Sequence, residues 1–176
     1  LEGKAGANGL TLTVGYAPKS YRVTFNTNVI GTKNVNAQYG HTITESQIGF
    51  TKAQMEEAKP GYTFEGWYLD VNDEATKFVP GETKVSGPAT YIAKFTADQV
   101  KVNYVFAGEE GHGVSNPYPN GKTAIYDDVV EIPVIEAPAG WSFKWTVDGA
   151  INYGEVYKVG EQDVTVTGTW TRNSYT

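Results

Sequence analysis

The chain has 176 residues, with 14 basic and 20 acidic side chains, a net charge of −6 and no cysteine. The absence of a basic run argues against nucleic acid or an anionic membrane surface as a partner. No apolar run approaches the roughly 18–20 residues of a membrane-spanning helix, so we expect no membrane insertion of this segment. Disulfides and thiolate metal sites are excluded. Because Leu1 is preceded by neither a methionine nor a signal peptide, we expect a processed or excised fragment.

Alternation of apolar and polar residues predicts a chain built mainly from β-strands. The abundance of Thr, Val and Tyr favours the same interpretation. Residues 1–9 show no periodicity and predict a flexible lead-in. The predicted strands are residues 10–16, 21–27, 35–44, 61–70, 76–79, 89–95, 100–106 and 165–170, with a turn at 28–34.

Residues 61–70 are the most aromatic stretch, with four aromatic side chains in ten positions. The preceding Pro60-Gly61 pair ends one element and begins another. Gly66 interrupts the alternation, as a β-bulge does, and lets Trp67 turn into a core. A buried tryptophan covers a large apolar area, so Trp67 is predicted to be the centre of a small module.

One helix is predicted, at residues 51–59. Thr51 and Gln54 fit a capping box, in which each side chain satisfies a backbone donor of the other residue. Met55 lies on the face that can pack on a sheet, and Pro60 prevents continuation. Two strands, one helix and further strands form the element order of a β-grasp unit.

The second part of the chain repeats the first at a constant spacing, which is typical of a repeat array. Four matching pieces stand 79 residues apart, and the closing strands stand 75 residues apart. The pairs at 79 are Tyr16 with Phe95, Phe25 with Tyr104, residues 61–64 with 140–143, and 78–82 with 157–161; the pair at 75 is Phe95 with Trp170.

This frame predicts three parts: a lead-in with the last strand of a preceding repeat at 1–20, a β-grasp module at 21–97, and a diverged second module at 100–172. The second module lacks a helix signal, because Pro133 and Pro138 leave little room for one, so we expect it to be mostly or entirely β. The short joint at residues 96–99 should restrict the relative motion of the modules. The expected fold class is therefore β-rich tandem modules, α+β followed by mostly all-β.

Residues 21–28, Tyr39-Gly40, 61–70 and 91–95 resemble the Listeria–Bacteroides repeat, which is the B-repeat of internalin-type surface proteins and a small β-grasp module. The most specific part is Gly61-Tyr62-Thr63-Phe64 followed by Gly66-Trp67-Tyr68. The sequence departs from the family at Val29-Ile30 and near residues 46–59, which affects loops. Residues 100–172 resemble, more loosely, the β-rich stalk repeats of Gram-positive adhesins, such as the SHIRT type.

The resemblance implies a secreted, cell-wall-associated bacterial protein in which such repeats act as spacers or interaction modules without catalysis. The expected function is therefore a non-enzymatic stalk segment that spaces or presents an adhesive domain, as a monomer at the extracellular surface. The alternative is a binding module that contacts a host protein or glycan through exposed aromatics. No cofactor or metal is expected, and the ligand-binding residues are unknown.

Few residues suggest a catalytic or metal-binding site. Neither His41 nor His112 has a triad partner, so both are interpreted as turn or surface residues. Residues 70–74 offer alternating oxygen ligands, but Ala75 and Gly81 break the EF-hand pattern and favour a solvated loop. Two acidic pairs, Asp127-Asp128 and Glu109-Glu110, are interpreted as a soluble edge. No Lys, Asn and acid trio for an isopeptide crosslink is identified.

The aromatic residues divide into two groups. Eight occupy matching frame positions and are predicted to be core: Trp67, Phe64, Phe25, Phe95, Trp145, Phe143, Tyr104 and Trp170. Four others are open to stacking on sugars or to a protein contact: Trp141, Tyr118, Tyr126 and Tyr153.

Overall fold

The computed structural model describes residues 13–108, 113–148, 151–152 and 155–174. The described chain is mostly β-strand with two short α-helices, α1 (Glu45–Ile48) and α2 (Lys52–Glu57). The strands are β1 (Ser20–Asn26), β2 (Thr32–Gln38), β3 (Tyr62–Tyr68), β4 (Lys77–Phe78), β5 (Ala89–Ala97), β6 (Gln99–Ala107), β7 (Lys122–Ile125), β8 (Val129–Glu131), β9 (Trp141–Asp148), β10 (Ile151–Asn152), β11 (Val156–Lys158) and β12 (Val164–Arg172).

The first five strands form one sheet in the order β2-β1-β5-β3-β4. We call residues 20–97 the N-terminal unit. Its central pair, β1 and β5, is parallel, whereas β1–β2, β3–β5 and β3–β4 are antiparallel. A parallel pairing of the first strand with the last, with helices in the connection between β2 and β3, agrees with the predicted β-grasp arrangement.

The first hairpin is closed by a buried threonine. Thr27 is fully buried, and its hydroxyl oxygen accepts from the backbone N–H groups of Val29, Ile30 and Gly31 while donating to the Gly31 carbonyl at 2.7 Å. This network confines the turn, because it satisfies the backbone donors locally. As a result β2 begins at Thr32, earlier than the predicted residue 35.

The predicted helix is confirmed as α2, and a second helix precedes it. The Thr51 hydroxyl accepts from the Gln54 backbone N–H at 3.2 Å, and the Gln54 side chain accepts from the Thr51 N–H at 3.1 Å. The same arrangement starts α1, where the Gln47 side chain accepts from the Thr44 N–H at 2.9 Å. Helix α1 was not predicted, although Thr44 and Gln47 have the same capping-box spacing.

Trp67 lies at the centre of the first core, as predicted, and is only 3% exposed. The register of β3 against β5 shifts between Phe64 and Gly66, which is the predicted bulge. Because of this shift, Phe64 and Trp67 both face the core, with ring centroids 5.4 Å apart. Phe25 meets the Trp67 ring edge-on at 5.3 Å. Edge-on aromatic pairs of this kind stabilise the core in addition to the burial of their apolar area.

The remaining strands form two further sheets, in the orders β7-β6-β12-β9 and β10-β11-β8. We call residues 99–172 the C-terminal unit. Its central strands β6 and β12 are again parallel, and its described residues contain no helix, as the sequence predicted. A second core cluster includes Tyr104 and Tyr157, whose hydroxyl oxygens lie 3.4 Å apart. Burial raises the pKa of Tyr157, so this phenol remains neutral.

Two sequence predictions about the connections need correction. The joint between the units is shorter than predicted, because β5 extends to Ala97 and β6 begins at Gln99, which leaves only Asp98 between them. Residues 13–16 form no strand, and the rest of the predicted strand 10–16 lies outside the described residues. Among the residues that the structure describes, no helix has the length and apolar character needed to cross a bilayer.

Truncation of the central tryptophan tests the first core. We expect Trp67→Ala to lower the free energy of unfolding of the N-terminal unit by about 3–5 kcal/mol, because it opens a cavity between Phe25 and Phe64. The matched control is Glu65→Ala at the exposed bulge position, which should change stability by less than about 0.5 kcal/mol. Denaturant titration measures both, and equal effects of the two variants would contradict the central position of Trp67.

Candidate functional site

Of the two histidines and the two acidic pairs that the sequence singled out, the structure describes His41 and the pair Asp127-Asp128. His41 is exposed, and its backbone N–H donates to the Gln38 carbonyl at 3.1 Å in a turn. His112, Glu109 and Glu110 lie outside the described residues. Asp127 forms an ion pair with Lys158 and lies in a turn with φ of +72°. Asp127 is therefore paired with a lysine of the same unit.

The predicted loop at residues 70–74 uses its carboxylates on its own backbone. An Asp70 carboxylate oxygen accepts from the Asn72 N–H at 2.9 Å, and Asp73 accepts from the Ala75 N–H at 2.9 Å, which caps a 3₁₀ turn at Glu74–Thr76. Within the described ranges, no three His, Asp or Glu side chains are grouped so as to hold a metal ion.

Glu74 belongs to a clamp on the outer face of the first sheet. The hydroxyl of the buried Tyr68 donates to Glu74 at 2.9 Å, and the Lys94 ammonium pairs with the same carboxylate. The ammonium groups of Lys77 and Lys94 also lie 5.4 and 4.8 Å from the Tyr68 ring centroid. The hydrogen bond from Lys94, followed by that from Tyr68, lowers the pKa of Glu74. These contacts hold the Glu74 carboxylate against Tyr68 and Lys94 of the sheet.

Acid titration tests this clamp. Because the folded-state pKa of Glu74 lies below the unfolded-state pKa, the carboxylate stabilises the fold above the unfolded value, and this contribution is lost as pH falls through the folded-state pKa. Glu74→Gln should therefore lower stability at neutral pH and flatten the decline below about pH 4.5. Denaturant titrations across this pH range provide the measurement. Glu57→Gln, on an exposed helix face, is the control for the loss of one charge. If the stability of Glu74→Gln declined with falling pH as steeply as that of the unsubstituted chain, the prediction would be wrong.

The eight aromatic residues predicted to be core and the four that were left open differ in their surroundings in the structure. Trp67, Phe25, Tyr104 and Trp170 are buried as predicted, whereas Phe64, Phe95, Phe143 and Trp145 are half-buried at core edges. Among the open residues, Tyr118 packs on the Tyr104 ring at 5.0 Å, and Trp141 is half-buried at the start of β9. Tyr153 lies outside the described residues. The remaining residue, Tyr126, lies between the two units.

An open groove of about 520 Å³ lies near the end of the first sheet. It is lined by Asn28 and Val29 from the first hairpin, Asn72 from the loop after β3, and Ile92 of β5. Val29 is 38% exposed. Lys59 and Lys94 also line the groove, which therefore presents apolar, amide and cationic surface.

The joint between the units is built on Asp98, which bonds to both sides. Its backbone N–H donates to the Gly61 carbonyl at 2.9 Å, and its carbonyl accepts from the Tyr126 N–H at 2.8 Å. Its carboxylate accepts from the Thr63 hydroxyl at 2.7 Å. Gly61 and Thr63 belong to the N-terminal unit and Tyr126 to the C-terminal unit. The one linking residue is therefore fixed by three hydrogen bonds.

Tyr126 packs directly on a glycine of the other unit. Gly61 has φ of +76°, and a Cβ atom built there would lie 2.4 Å from Tyr126 Cγ, so the ring occupies the space of the missing side chain. The Tyr126 ring also meets the Tyr62 ring edge-on at 5.6 Å, and the Lys59 ammonium lies 4.0 Å from the Tyr62 ring centroid. This contact fixes the position of the second unit on the first.

The sequence predicted a joint at residues 96–99 but not the contact between Tyr126 and Gly61 that accompanies it. Tyr126 was open to either a glycan contact or a protein contact, and Gly61 was interpreted only as the start of a strand. One signal was available, since Gly61 recurs 79 residues later as Gly140.

Substitution at Gly61 tests the joint. Gly61→Ala should lower the free energy of unfolding by about 1–2 kcal/mol for the positive φ, plus about 1–3 kcal/mol for the overlap with Tyr126. Gly140→Ala is the matched control, because Gly140 has φ of +85° and open space around its Cβ position, so only the first contribution applies. In a Tyr126→Ser background, the effect at Gly61 should fall to that at Gly140, as measured by a double-mutant cycle. A penalty unchanged by Tyr126→Ser would contradict the contact.

Comparison with known proteins finds a family match within the N-terminal unit. Residues 21–94 match the family described as the Listeria-Bacteroides repeat domain. This match confirms the resemblance that residues 21–28, 61–70 and 91–95 carry.

Two solved structures are similar over most of the chain. One, titled "Crystal structure of Mub-RV", has 12% identity over 88% of this chain and 99% of that chain, with a TM-score of 0.24. The other contains Streptococcal High Identity Repeats in Tandem (SHIRT) domains 3-4 from a cell surface protein, with 13% identity over 87% of this chain and 98% of that chain, and a TM-score of 0.28. A likeness at these TM-scores carries no argument about function. No curated protein matches the chain.

Proposed function

We propose that this chain is a non-enzymatic stalk segment of a secreted, wall-associated bacterial surface protein, which spaces or presents an adhesive domain. The observation that carries the proposal is the joint, in which a single residue connects two β units and each unit contributes contacts that fix the other. A stalk needs such connections, because a flexible linker would let successive modules fold back on one another. The repeat family that residues 21–94 match supports the same function.

The proposal treats residues 21–97 and 100–172 as separate modules, preceded by a lead-in at 1–20. Its support is the separation of the two core clusters, the first around Phe25 and Trp67 and the second around Tyr104 and Tyr157. Proteins in which each repeat buries its own core and contacts only its neighbours are stable in extended arrays.

Small-angle X-ray scattering of the full chain tests this function. We expect an elongated particle with the two modules end to end, and a distribution of interatomic distances that is unchanged between low and high salt, because the joint does not depend on exposed ion pairs. A compact particle would contradict the stalk function. Tyr126→Ser provides the comparison, since it removes the ring from Gly61 and should broaden the distance distribution without unfolding either module.

A second candidate function is direct contact with a host protein or glycan. The exposed aromatic residues favour it, since Tyr16 is 92% and Tyr39 is 62% exposed. Exposed tyrosines are frequent in binding surfaces because they combine apolar area with a polar group. Binding on a glycan or host-protein array that Tyr39→Ser removes would support this candidate, and an absence of binding would leave the stalk function alone.

A further inference from the structure

The beginning of the N-terminal unit repeats the hydrogen bonds of the joint. The Lys19 carbonyl accepts from the Tyr39 N–H at 2.8 Å, just as the Asp98 carbonyl accepts from the Tyr126 N–H at 2.8 Å. In both cases the first residue directly precedes the first strand of a unit and the tyrosine directly follows the second strand. Tyr39 is therefore the structural counterpart of Tyr126.

The correspondence extends through the turn that follows each tyrosine. The next residue has a positive φ in both units, +79° at Gly40 and +72° at Asp127. Its N–H donates to the carbonyl of Val85 in one unit and of Val159 in the other, at 2.7 and 3.0 Å. Both tyrosines are thus held by the same backbone framework. They differ in environment, because Tyr126 packs on Gly61 whereas Tyr39 is 62% exposed.

The other half of the joint recurs at the end of the C-terminal unit. The Asn173 N–H donates to the Gly140 carbonyl at 2.9 Å, as the Asp98 N–H donates to the Gly61 carbonyl at 2.9 Å. Gly140 has φ of +85° and Gly61 has φ of +76°. A Cβ atom at Gly140 would meet nothing within 4 Å, whereas the same position at Gly61 is filled by the Tyr126 ring.

The residues before the first strand have the apolar pattern of a closing strand. Val14 and Tyr16 are 65% and 92% exposed, and they stand 79 residues before Ala93 and Phe95. Ala93 and Phe95 are packed in the first core by the closing strand β5. Val14 and Tyr16 therefore carry the apolar pattern of a closing strand directly before Lys19, as Ala93 and Phe95 do before Asp98.

We infer that both ends of the chain are docking surfaces for further modules of the same kind in tandem. Tyr39 packs on a preceding module, at a glycine equivalent to Gly61, and Gly140 receives the corresponding tyrosine of a following module. This inference rests on the proposed stalk function and adds the surface by which the stalk is extended. The recognition is steric: a glycine with positive φ leaves a flat surface, and a side chain there would displace the ring.

A spliced tandem chain tests the inference. Residue 173 of one copy is joined directly to residue 20 of a second copy, so that Asn173 takes the position that Lys19 and Asp98 occupy. The chain has no cysteine, so single cysteines at exposed positions can carry spin labels. The pair across the splice is Glu161→Cys in the first copy and Glu57→Cys in the second. The reference is the same two substitutions within one unspliced chain, across the natural joint.

Double electron–electron resonance then gives the width of each distance distribution. We expect the width across the splice to equal that across the natural joint. Tyr39→Ser in the second copy should at least double it, whereas Tyr39→Phe, which keeps the ring, should leave it unchanged. The matched control is Tyr39→Ser in the first copy, where the ring does not face the splice, and this variant should also leave the width unchanged.

Three results would overturn the inference. A broad distribution across the splice with a narrow one across the natural joint would remove the docking surfaces and leave the stalk function intact. Broad distributions at both places would contradict the stalk function as well. Concentration-dependent association of the unspliced chain that Tyr39→Ser abolishes would assign the ends to contacts between separate molecules instead.

Discussion

The parallel pairing of the first and last strands is the constraint on which the rest of the structure depends. Because β1 and β5 run in the same direction, the chain enters the first sheet at one end and leaves it at the other. The pairing of β6 with β12 repeats this geometry. With only Asp98 between β5 and β6, each unit begins where the previous one ends. Tension applied to the two ends would load these parallel pairs in shear along their shared length.

The sequence predicted features that are decided by neighbouring residues. The Thr51 and Gln54 capping box, the Gly66 bulge and the burial of Trp67 each depend on local chemistry, and each appears in the structure. The start of β2 was misplaced because it depends on the burial of the Thr27 hydroxyl, which no local pattern reveals. Helix α1 was missed because its four residues are too few to show periodicity, although its capping pair was visible.

The position of the joint was predicted, but its contacts could not be predicted from the repeat frame, because the residues that form them follow different spacings. Gly61 and Gly140 stand 79 residues apart, Tyr39 and Tyr126 stand 87 apart, and Asp98 and Asn173 stand 75 apart. The connection between β6 and β7 is longer than that between β1 and β2, which increases the spacing of equivalent residues. The described residues of the C-terminal unit contain no helices before β9, which decreases the spacing again. Only the backbone hydrogen bonds reveal that the residues are equivalent, since those bonds depend on strand register and not on sequence spacing.

The two units differ in their middle and agree at their ends. In the first, β4 pairs with β3 and α2 contributes the buried Met55 to the core. In the second, β11 pairs with β8 and β10, and it contributes Tyr157 to the core in place of a helix. The core can therefore be completed in two ways, since close packing requires only that its volume be filled. Under the proposed docking the end surfaces have less freedom, because each must fit a neighbour as well as its own sheet. On this proposal, the modules can vary inside while the contact between a tyrosine and a glycine, seen between Tyr126 and Gly61, keeps its geometry.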